Sequence, residues 1–488
     1  MQMTSASVWR RAVIAPGRPE LVLGVGVVGA VMAIATAPLV SLLLVLAVAM
    51  SALLVKRPFF IAAALIVCMG NVKVNYYLGF FTVFPEYLVL MVACGLGFYL
   101  WLARPKWPPE RTLVLLVLVW IVTGALSVPF ALSLSKVLAR VVLMGISLVT
   151  LVSILTTVDT RPRLLRAMAL WEVMATLYAA FGIVQMVGMV AGFDTTLHFL
   201  EPVSNPNIYL GVGSPVRRRI GDVFRANSMF NDPNILGGFL ATAMAGVLAL
   251  RMYHAESGRR GRARAELVAL WIMAICLLLT QSRSGFLALL AGAGVVFVHR
   301  PRSLGRPGVW LAVGAGALAM IAVAMLVGVD PTLLLTRFAG TGDINDTSNK
   351  QHLEVFLYGL QLIARYPFTG VGLGNFGLFY GSERDAWFAN MMSHCAPLSA
   401  FAESGLPGGF AFLAVWGYIL RRLWRGQSAS GDSQADALRL ALFASLVALL
   451  VANLFYDYLL RTFVWVLVGL AMCTLRLTAL ERETRGAA

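Results

Sequence analysis

An uncharged apolar run occupies residues 234–250 and reads NILGGFLATAMAGVLAL. Directly before it stand Asp232, whose side chain is suited to capping a helix N-terminus, and Pro233, which is suited to the first helical position. A helix that crosses a bilayer needs about 20 predominantly apolar residues. The stretch therefore predicts a membrane-spanning helix that begins after Asp232.

Comparable runs recur along the whole chain. The sequence is 59% hydrophobic with a mean hydropathy of +0.81, and only 13% of its residues are charged, against roughly 25% in a soluble domain. The other runs lie near residues 20–37, 39–55, 58–71, 86–103, 112–129, 137–157, 166–191, 267–281, 284–299, 309–329, 406–423, 438–456 and 462–478. We therefore predict an all-α, polytopic transmembrane helical bundle with about 12–14 spans, which excludes a soluble enzyme, a fibrous protein and a disordered chain.

The basic residues follow the order of these spans. The chain has 39 Lys and Arg residues against 23 Asp and Glu, and the basic residues are concentrated in every second loop, as in residues 259–264. Loops rich in Lys and Arg stay on the cytoplasmic side of a membrane. This distribution predicts that both termini are cytoplasmic, and it explains the high isoelectric point without a nucleic-acid partner.

Two long segments fall on the opposite, extracytoplasmic side. They divide the chain into N-terminal membrane helices (1–191), an outer loop (192–233), core membrane helices (234–329), a large outer loop (330–405) and C-terminal membrane helices (406–488). Long ordered loops on a rigid scaffold are where function tends to lie. The large loop contains an amphipathic stretch, with Leu353, Phe356, Leu357, Leu360 and Ile363 at helical spacing. We expect this stretch to lie on the outer membrane surface beside a cleft, or alternatively to pack for stability alone.

Two outer motifs carry arginines on the side that is poor in basic residues. Arg225 lies in FRANSMFNDPN (224–234), and Arg283 lies in TQSRSG (280–285), a tight turn between two apolar runs. An arginine held between apolar helices is costly unless it meets an anion or a polar cavity. Both are therefore candidate anion-binding residues, with contact to the outer lipid headgroups as the alternative.

A third group of motifs lies at the end of the large loop. It comprises YPFTGVGLGNF (366–376), SHCAPL (393–398) and AESGLPG (402–408). Residues 372–377 match the letters of a dinucleotide-binding motif, but they lie between membrane helices rather than in a βαβ unit, so we reject that interpretation. His394 stands just before the chain re-enters the membrane, and an imidazole can accept a proton from a hydroxyl. Cys395 is expected to fill space rather than to act as a nucleophile.

Taken together, these motifs resemble the O-antigen ligase and polymerase superfamily, and the resemblance covers about residues 220–425. The superfamily consists of bacterial membrane glycosyltransferases that use undecaprenyl-diphosphate-linked glycans. The resemblance implies a helical fold similar to that of lipid-dependent glycosyltransferases, with neither a metal nor another cofactor. It also implies that Arg225, Arg283 and Arg337 bind the donor diphosphate and that His394 is the general base, with Glu403 as the next candidate.

The activity implied by the resemblance is inverting glycosyl transfer at the outer face of the bacterial inner membrane. The expected partners are the lipid-linked donor, a glycan or lipid A-core acceptor, membrane lipids, and chain-length regulators or other polysaccharide-assembly proteins. We favour polymerisation of O-antigen or exopolysaccharide repeats because the chain is long. A ligase that transfers the glycan to lipid A-core or to a protein stays open. A flippase or secondary transporter is disfavoured, because we find no internal repeat and the candidate charges cluster at the outer face.

Overall fold

The computed structural model describes residues 58–70, 76–77, 82–83, 110–191, 216–217, 224–230, 232–301, 347–384, 392–425 and 433–486, together with positions 314, 322 and 325. Its α-helices are α1 (Phe59–Val67), α2 (Arg111–Ala125), α3 (Leu134–Thr157), α4 (Arg161–Val190), α5 (Pro233–Glu256), α6 (Arg260–Thr280), α7 (Arg283–His299), α8 (Thr347–Arg365), α9 (Phe376–Glu383), α10 (Ala396–Arg425), α11 (Ser433–Asn453) and α12 (Thr462–Gly486). Two very short antiparallel pairs join β1 (Tyr76–Tyr77) to β2 (Thr82–Val83) and β3 (Val216–Arg217) to β4 (Phe224–Arg225).

Eight of the described helices are long and apolar enough to cross a membrane. They are α2, α3, α4, α5, α6, α10, α11 and α12, and α7 is a shorter apolar helix. The predicted multi-pass helical fold is therefore confirmed. The runs predicted near 20–37, 39–55 and 86–103, and all but three positions of the run near 309–329, lie outside the described residues. The total of 12–14 spans and the division into five segments therefore stay predictions.

Helix α5 is the centre of the bundle, and nearly all of its residues are buried. It begins as predicted, because Asp232 caps it by accepting a hydrogen bond from the Asn234 amide (2.7 Å) and Pro233 is its first residue. Helices α6, α7 and α11 pack around it. The crossing with α7 is close: a Cβ added at Gly285 would lie 2.9 Å from the backbone carbon of Gly237. This crossing holds the start of α7 against the start of α5.

Helix α8 has two apolar faces rather than one. Val355, Tyr358 and Leu362 are buried against α9 and α10, whereas Leu353, Phe356, Leu357 and Leu360 on the predicted face are 41–49% exposed. An amphipathic helix with an exposed apolar face is typical of the membrane interface. The position of α8 on the outer membrane surface stays a prediction. The second, packed face of α8 was not identified from the sequence.

The orientation of the bundle can be tested with reporter fusions. We expect a periplasmic reporter fused after Gly381, in α9, to be active, and one fused after Gly258, in the α5–α6 turn, to be inactive, because the Lys and Arg distribution places them on opposite sides. A cytoplasmic reporter at the same two positions provides the matched control. The opposite pattern would place the candidate site in the cytoplasm.

Candidate active site

Helix α10 is broken in the middle of the AESGLPG motif. Gly405 has φ 66° and ψ −174°, which is outside the helical region and favours glycine. Pro407 has no backbone N–H, so it cannot donate to the carbonyl of Glu403 in the ordinary i to i−4 pattern. The break therefore leaves backbone carbonyl groups of α10 without helical partners.

The 366–376 loop supplies those partners. Three backbone hydrogen bonds join the loop to α10: Val371 N to Ala402 O (3.0 Å), Gly372 N to Glu403 O (2.9 Å) and Leu406 N to Pro367 O (2.6 Å). The contact is so close that a Cβ at Gly370, where φ is 65°, would lie 2.4 Å from the Glu403 carbonyl oxygen. The glycine-rich motif and the AESGLPG motif therefore form a single structural unit.

This unit fixes the carboxyl group of Glu403. The residue is 7% exposed, and its Oε2 accepts a hydrogen bond from the Gly374 amide (2.8 Å). The loop is itself attached to the start of α3, because Asn375 Oδ1 accepts from the Ser133 amide (2.7 Å) and Asn375 Nδ2 donates to the Ser133 carbonyl (3.2 Å). The first turns of α3 are thereby held against Glu403.

A cavity of about 280 Å³ lies between these elements. Its lining residues are Lys136, Ala139, Arg140, Leu143, Gly374, Gly377, Met392, Ser393, Ser399, Glu403 and Asp457. A smaller adjoining cavity of about 30 Å³ shares Arg140, Ser399, Glu403 and Asp457 with it. Two cationic side chains and two carboxyl groups therefore face one space.

The charges in this cavity come from distant parts of the chain. Lys136 and Arg140 lie one turn apart at the beginning of α3, so they share a face of that helix. Arg140 Nη1 lies 3.6 Å from Asp457 Oδ2, in the loop between α11 and α12. Cations arranged in this way can bind phosphate oxygens, and a buried carboxylate beside them can accept a proton. Within the described part of the chain, no group of three His, Cys, Asp or Glu side chains is placed to hold a metal ion.

His394 lies beside the cavity, one residue after the lining residue Ser393. Its backbone is left-handed, with φ 53°, and its ring packs against the rings of His352 (centroids 4.9 Å apart) and Tyr456 (5.6 Å). The adjacent Cys395 is buried, which raises the pKa of its thiol. A thiol that stays protonated is a poor nucleophile, which agrees with the expectation that Cys395 fills space.

The loop between α11 and α12 connects this cavity to the start of α5. Tyr456 contacts His394, Asp457 lines the cavity, and the Tyr458 hydroxyl donates to the Asn234 carbonyl (2.8 Å). Burial raises the pKa of the Tyr458 phenol well above its ordinary value, so it remains a donor at neutral pH. The ends of α5, α10, α11 and α12 on this side of the bundle are therefore joined through three consecutive side chains.

The arginines predicted to bind a diphosphate lie near the first residues of α5 and α7. Arg225 is 2% exposed, and it donates from Nε to the Thr280 carbonyl (2.7 Å) and from Nη2 to Asn234 Oδ1 (2.9 Å). Arg283 is the first residue of α7, after the N-cap residue Ser282. The structure thus brings Arg225 to the turn that precedes Arg283. Arg337 lies outside the described residues.

Three cavity residues were not identified from the sequence: Lys136, Arg140 and Asp457. Lys136 and Arg140 could have been chosen as candidates, because they are four residues apart at the predicted outer start of a span, where basic residues are few. Asp457 directly follows the predicted run 438–456 at the outer side. No pattern in the sequence indicated that these residues face Glu403.

The comparison with known protein families finds a match in a region that contains several of the candidate site residues. Residues 268–413 match the family model described as O-antigen ligase, a range that includes Arg283, the 366–376 loop, His394 and Glu403. Lys136, Arg140, Arg225 and Asp457 lie outside the matched range. No curated protein matches the chain. Over residues 268–413, the chain is therefore similar to the O-antigen ligase family.

Proposed function

We propose that this protein is a glycosyltransferase that moves a glycan from undecaprenyl diphosphate to an acceptor hydroxyl at the outer face of the membrane. The observation that carries the proposal is the cavity in which Lys136, Arg140, Glu403 and Asp457 meet at the family motifs. A diphosphate leaving group needs positive charge, and an acceptor hydroxyl needs a proton acceptor. The cavity offers both kinds of group in one place.

The reaction would proceed as an inverting displacement. A general base takes the proton of the acceptor hydroxyl while its oxygen attacks the anomeric carbon from the face opposite the diphosphate. The new glycosidic bond forms as the bond from the anomeric carbon to the diphosphate oxygen breaks, and the carrier diphosphate leaves with the bonding electron pair. Arg140 and Lys136 would stabilise the negative charge that develops on the leaving group.

Two residues are candidates for the base. Glu403 lines the cavity, and its carboxylate is oriented by the Gly374 amide. His394 is beside the cavity, held between His352 and Tyr456. We keep His394 as the proposed base because an imidazole takes up a proton near neutral pH, and we keep Glu403 as the alternative.

Arg283 provides a test of diphosphate binding at the start of α7. Arg283→Ala should weaken donor binding by about 10- to 100-fold and slow transfer with it, because a hydrogen bond to a charged group contributes ~1.5–3 kcal/mol. Arg283→Lys should restore only part of the loss, since lysine lacks the planar fork. Binding and transfer of a fluorescent lipid-linked glycan would be measured, with exposed Arg264→Ala as the control. If the affinity for the donor is unchanged in Arg283→Ala, Arg283 does not bind the diphosphate. Diphosphate binding by Arg225 and Arg337 stays a prediction.

We expect the reaction to be independent of a metal ion. The outer acidic residues Asp343, Asp346, Glu383 and Asp385 have no compact spacing, and Glu383 is paired with Arg365 (2.7 Å). The arginines supply the positive charge that Mg²⁺ would otherwise bring to a diphosphate. Purified enzyme should retain its rate of transfer in excess EDTA. A loss of rate that added Mg²⁺ restores would show this prediction to be wrong.

The acceptor decides between polymerase and ligase. We propose a polymerase that joins lipid-linked repeats of O-antigen or exopolysaccharide, together with chain-length regulators or other assembly proteins. The family description favours the alternative, transfer to lipid A-core or to a protein. A gel of surface glycans from a deletion strain distinguishes them: a single attached repeat without long chains indicates a polymerase, and loss of all attached glycan indicates a ligase.

A further inference from the structure

A second charged cavity lies at the opposite end of the bundle, where α10 ends, α11 begins and α12 ends. Its volume is about 220 Å³, several times the roughly 30 Å³ that a water molecule takes in the liquid. Four arginines line it, namely Arg422, Arg425, Arg439 and Arg482. Asp436 is the one acidic residue among the described lining residues. The cavity therefore carries an excess of positive charge.

Among the described residues, the carboxylates that pair with the lining arginines do not balance this charge. Arg422 is paired with Glu110 through two hydrogen bonds (Nη1 to Oε2, 2.9 Å; Nη2 to Oε1, 3.1 Å), which leaves three arginines to Asp436. Arg439 Nε is 3.9 Å from Asp436 Oδ1, beyond hydrogen-bond distance. Arg425 is exposed, and Arg482 is half-buried.

Arg439 has a buried hydrogen-bond donor that lacks an acceptor among the described residues. The residue is 7% exposed, and its Nη1 donates to the Leu423 carbonyl (3.1 Å). Its Nε is buried and has no hydrogen-bond partner among the described residues, and the same is true of Arg482 Nε. A buried N–H without an acceptor is costly, so two such groups at one cavity indicate a missing acceptor.

The position of the cavity indicates the class of that acceptor. It lies at the ends of three helices that are long and apolar enough to cross a membrane, and the ends of such helices are expected at the level of the lipid headgroups. The guanidinium fork matches the oxygens of a phosphate group, and basic pockets between transmembrane helices suit phosphate-bearing headgroups. The distribution of Lys and Arg predicts that this end faces the cytoplasm.

We propose that the pocket formed by Arg425, Arg439 and Arg482 binds the phosphate group of an anionic phospholipid of the cytoplasmic leaflet. This site is separate from the outer cavity and does not depend on the function proposed for it. A free phosphate ion has the same chemistry, and the experiment below separates the two sources.

The test compares two double variants of the full-length protein. Arg425→Gln with Arg482→Gln removes two pocket arginines that are not fully buried, so the fold should be retained. Arg260→Gln with Arg264→Gln removes two exposed arginines from the beginning of α6, at the same end of the bundle. Both lower the net charge equally. Binding of phosphatidylglycerol to delipidated protein would be measured by native mass spectrometry, and thermal unfolding would confirm that each variant is folded.

We expect the pocket variant to bind phosphatidylglycerol at least about tenfold more weakly than the native protein, since each interfacial arginine contributes about 1 kcal/mol to binding of an anionic lipid and tenfold is 1.4 kcal/mol. In parallel samples in about 0.5 M salt, where diffuse attraction is screened, thermal stabilisation by the lipid should be unchanged in the control variant and lost in the pocket variant. Equal losses in both variants would overturn the proposal. Saturation of the pocket by inorganic phosphate, with no further effect of lipid, would also overturn it in favour of a soluble anion.

Discussion

His394→Ala is expected to slow glycan transfer by ~10²–10⁴-fold while leaving donor affinity nearly unchanged, because that is the usual effect of losing a general base. The imidazole accepts a proton only in its neutral form. The rate of the native enzyme should therefore fall as the pH is lowered through the range in which histidine titrates, and this acid limb should be absent from the residual activity of the variant. Single-turnover transfer rates and donor binding, measured separately over pH, provide the readouts.

Glu403→Gln and Cys395→Ala complete this experiment. Glutamine retains an oxygen that can accept from the Gly374 amide, so it removes the proton-accepting carboxylate with little change of structure. Cys395→Ala, beside His394, should remain close to native activity. If His394→Ala greatly weakens donor binding while enzyme with bound donor transfers glycan at the native rate, the histidine is a binding residue. The base would then be Glu403, and the large loss of rate should move to Glu403→Gln.

Arg140→Gln should reduce the rate of transfer by about 10²–10³-fold, the range seen when one preorganised electrostatic donor is removed from an active site. Arg140 forms an ion pair with Asp457, and its loss removes this positive charge from the cavity that Asp457 and Glu403 also line. A diphosphate would then approach a space with less positive charge. Arg140→Lys should recover part of the rate because it restores the charge without the planar fork.

Arg163→Gln is the matched control for Arg140→Gln. Arg163 also forms an ion pair, with Asp159 (2.6 Å), but this pair is largely exposed and lies near the start of α4, at the far end of α3 from Arg140. Such pairs contribute little, so its loss should leave transfer unchanged. Thermal unfolding would be measured for both variants. If Arg140→Gln transfers glycan at the native rate and only unfolds at a lower temperature, Arg140 is a structural residue and the cavity is not the diphosphate site.

The sequence correctly predicted those features of the fold that depend on residues adjacent in the chain. Asp232 and Pro233 predicted the start of α5, and the apolar runs near 137–157 and 462–478 correspond to α3 and α12. Helix length in a membrane is set by the apolar run, and helix starts are set by local capping. These features can be read from a few adjacent residues.

The candidate site was only partly predictable because it depends on contacts between distant segments. Arg140, Glu403 and Asp457 lie on three different elements, and a single sequence contains no record of which helices pack together. The packing partner of the glycine-rich motif likewise could not be predicted from the motif alone. Its spacing resembled a nucleotide-binding motif, whereas its actual partner is the broken region of α10.

The break in α10 has a consequence for how the protein is assembled in the membrane. A helix normally satisfies its backbone groups as it inserts, but the carbonyls of Ala402 and Glu403 obtain their donors from the 366–376 loop. An unsatisfied backbone group is costly at membrane depth. The loop precedes α10 in the chain, so these hydrogen bonds can form only after both segments have been synthesised. We therefore expect the packing of the 366–376 loop against the break in α10 to be a late step in the folding of this region.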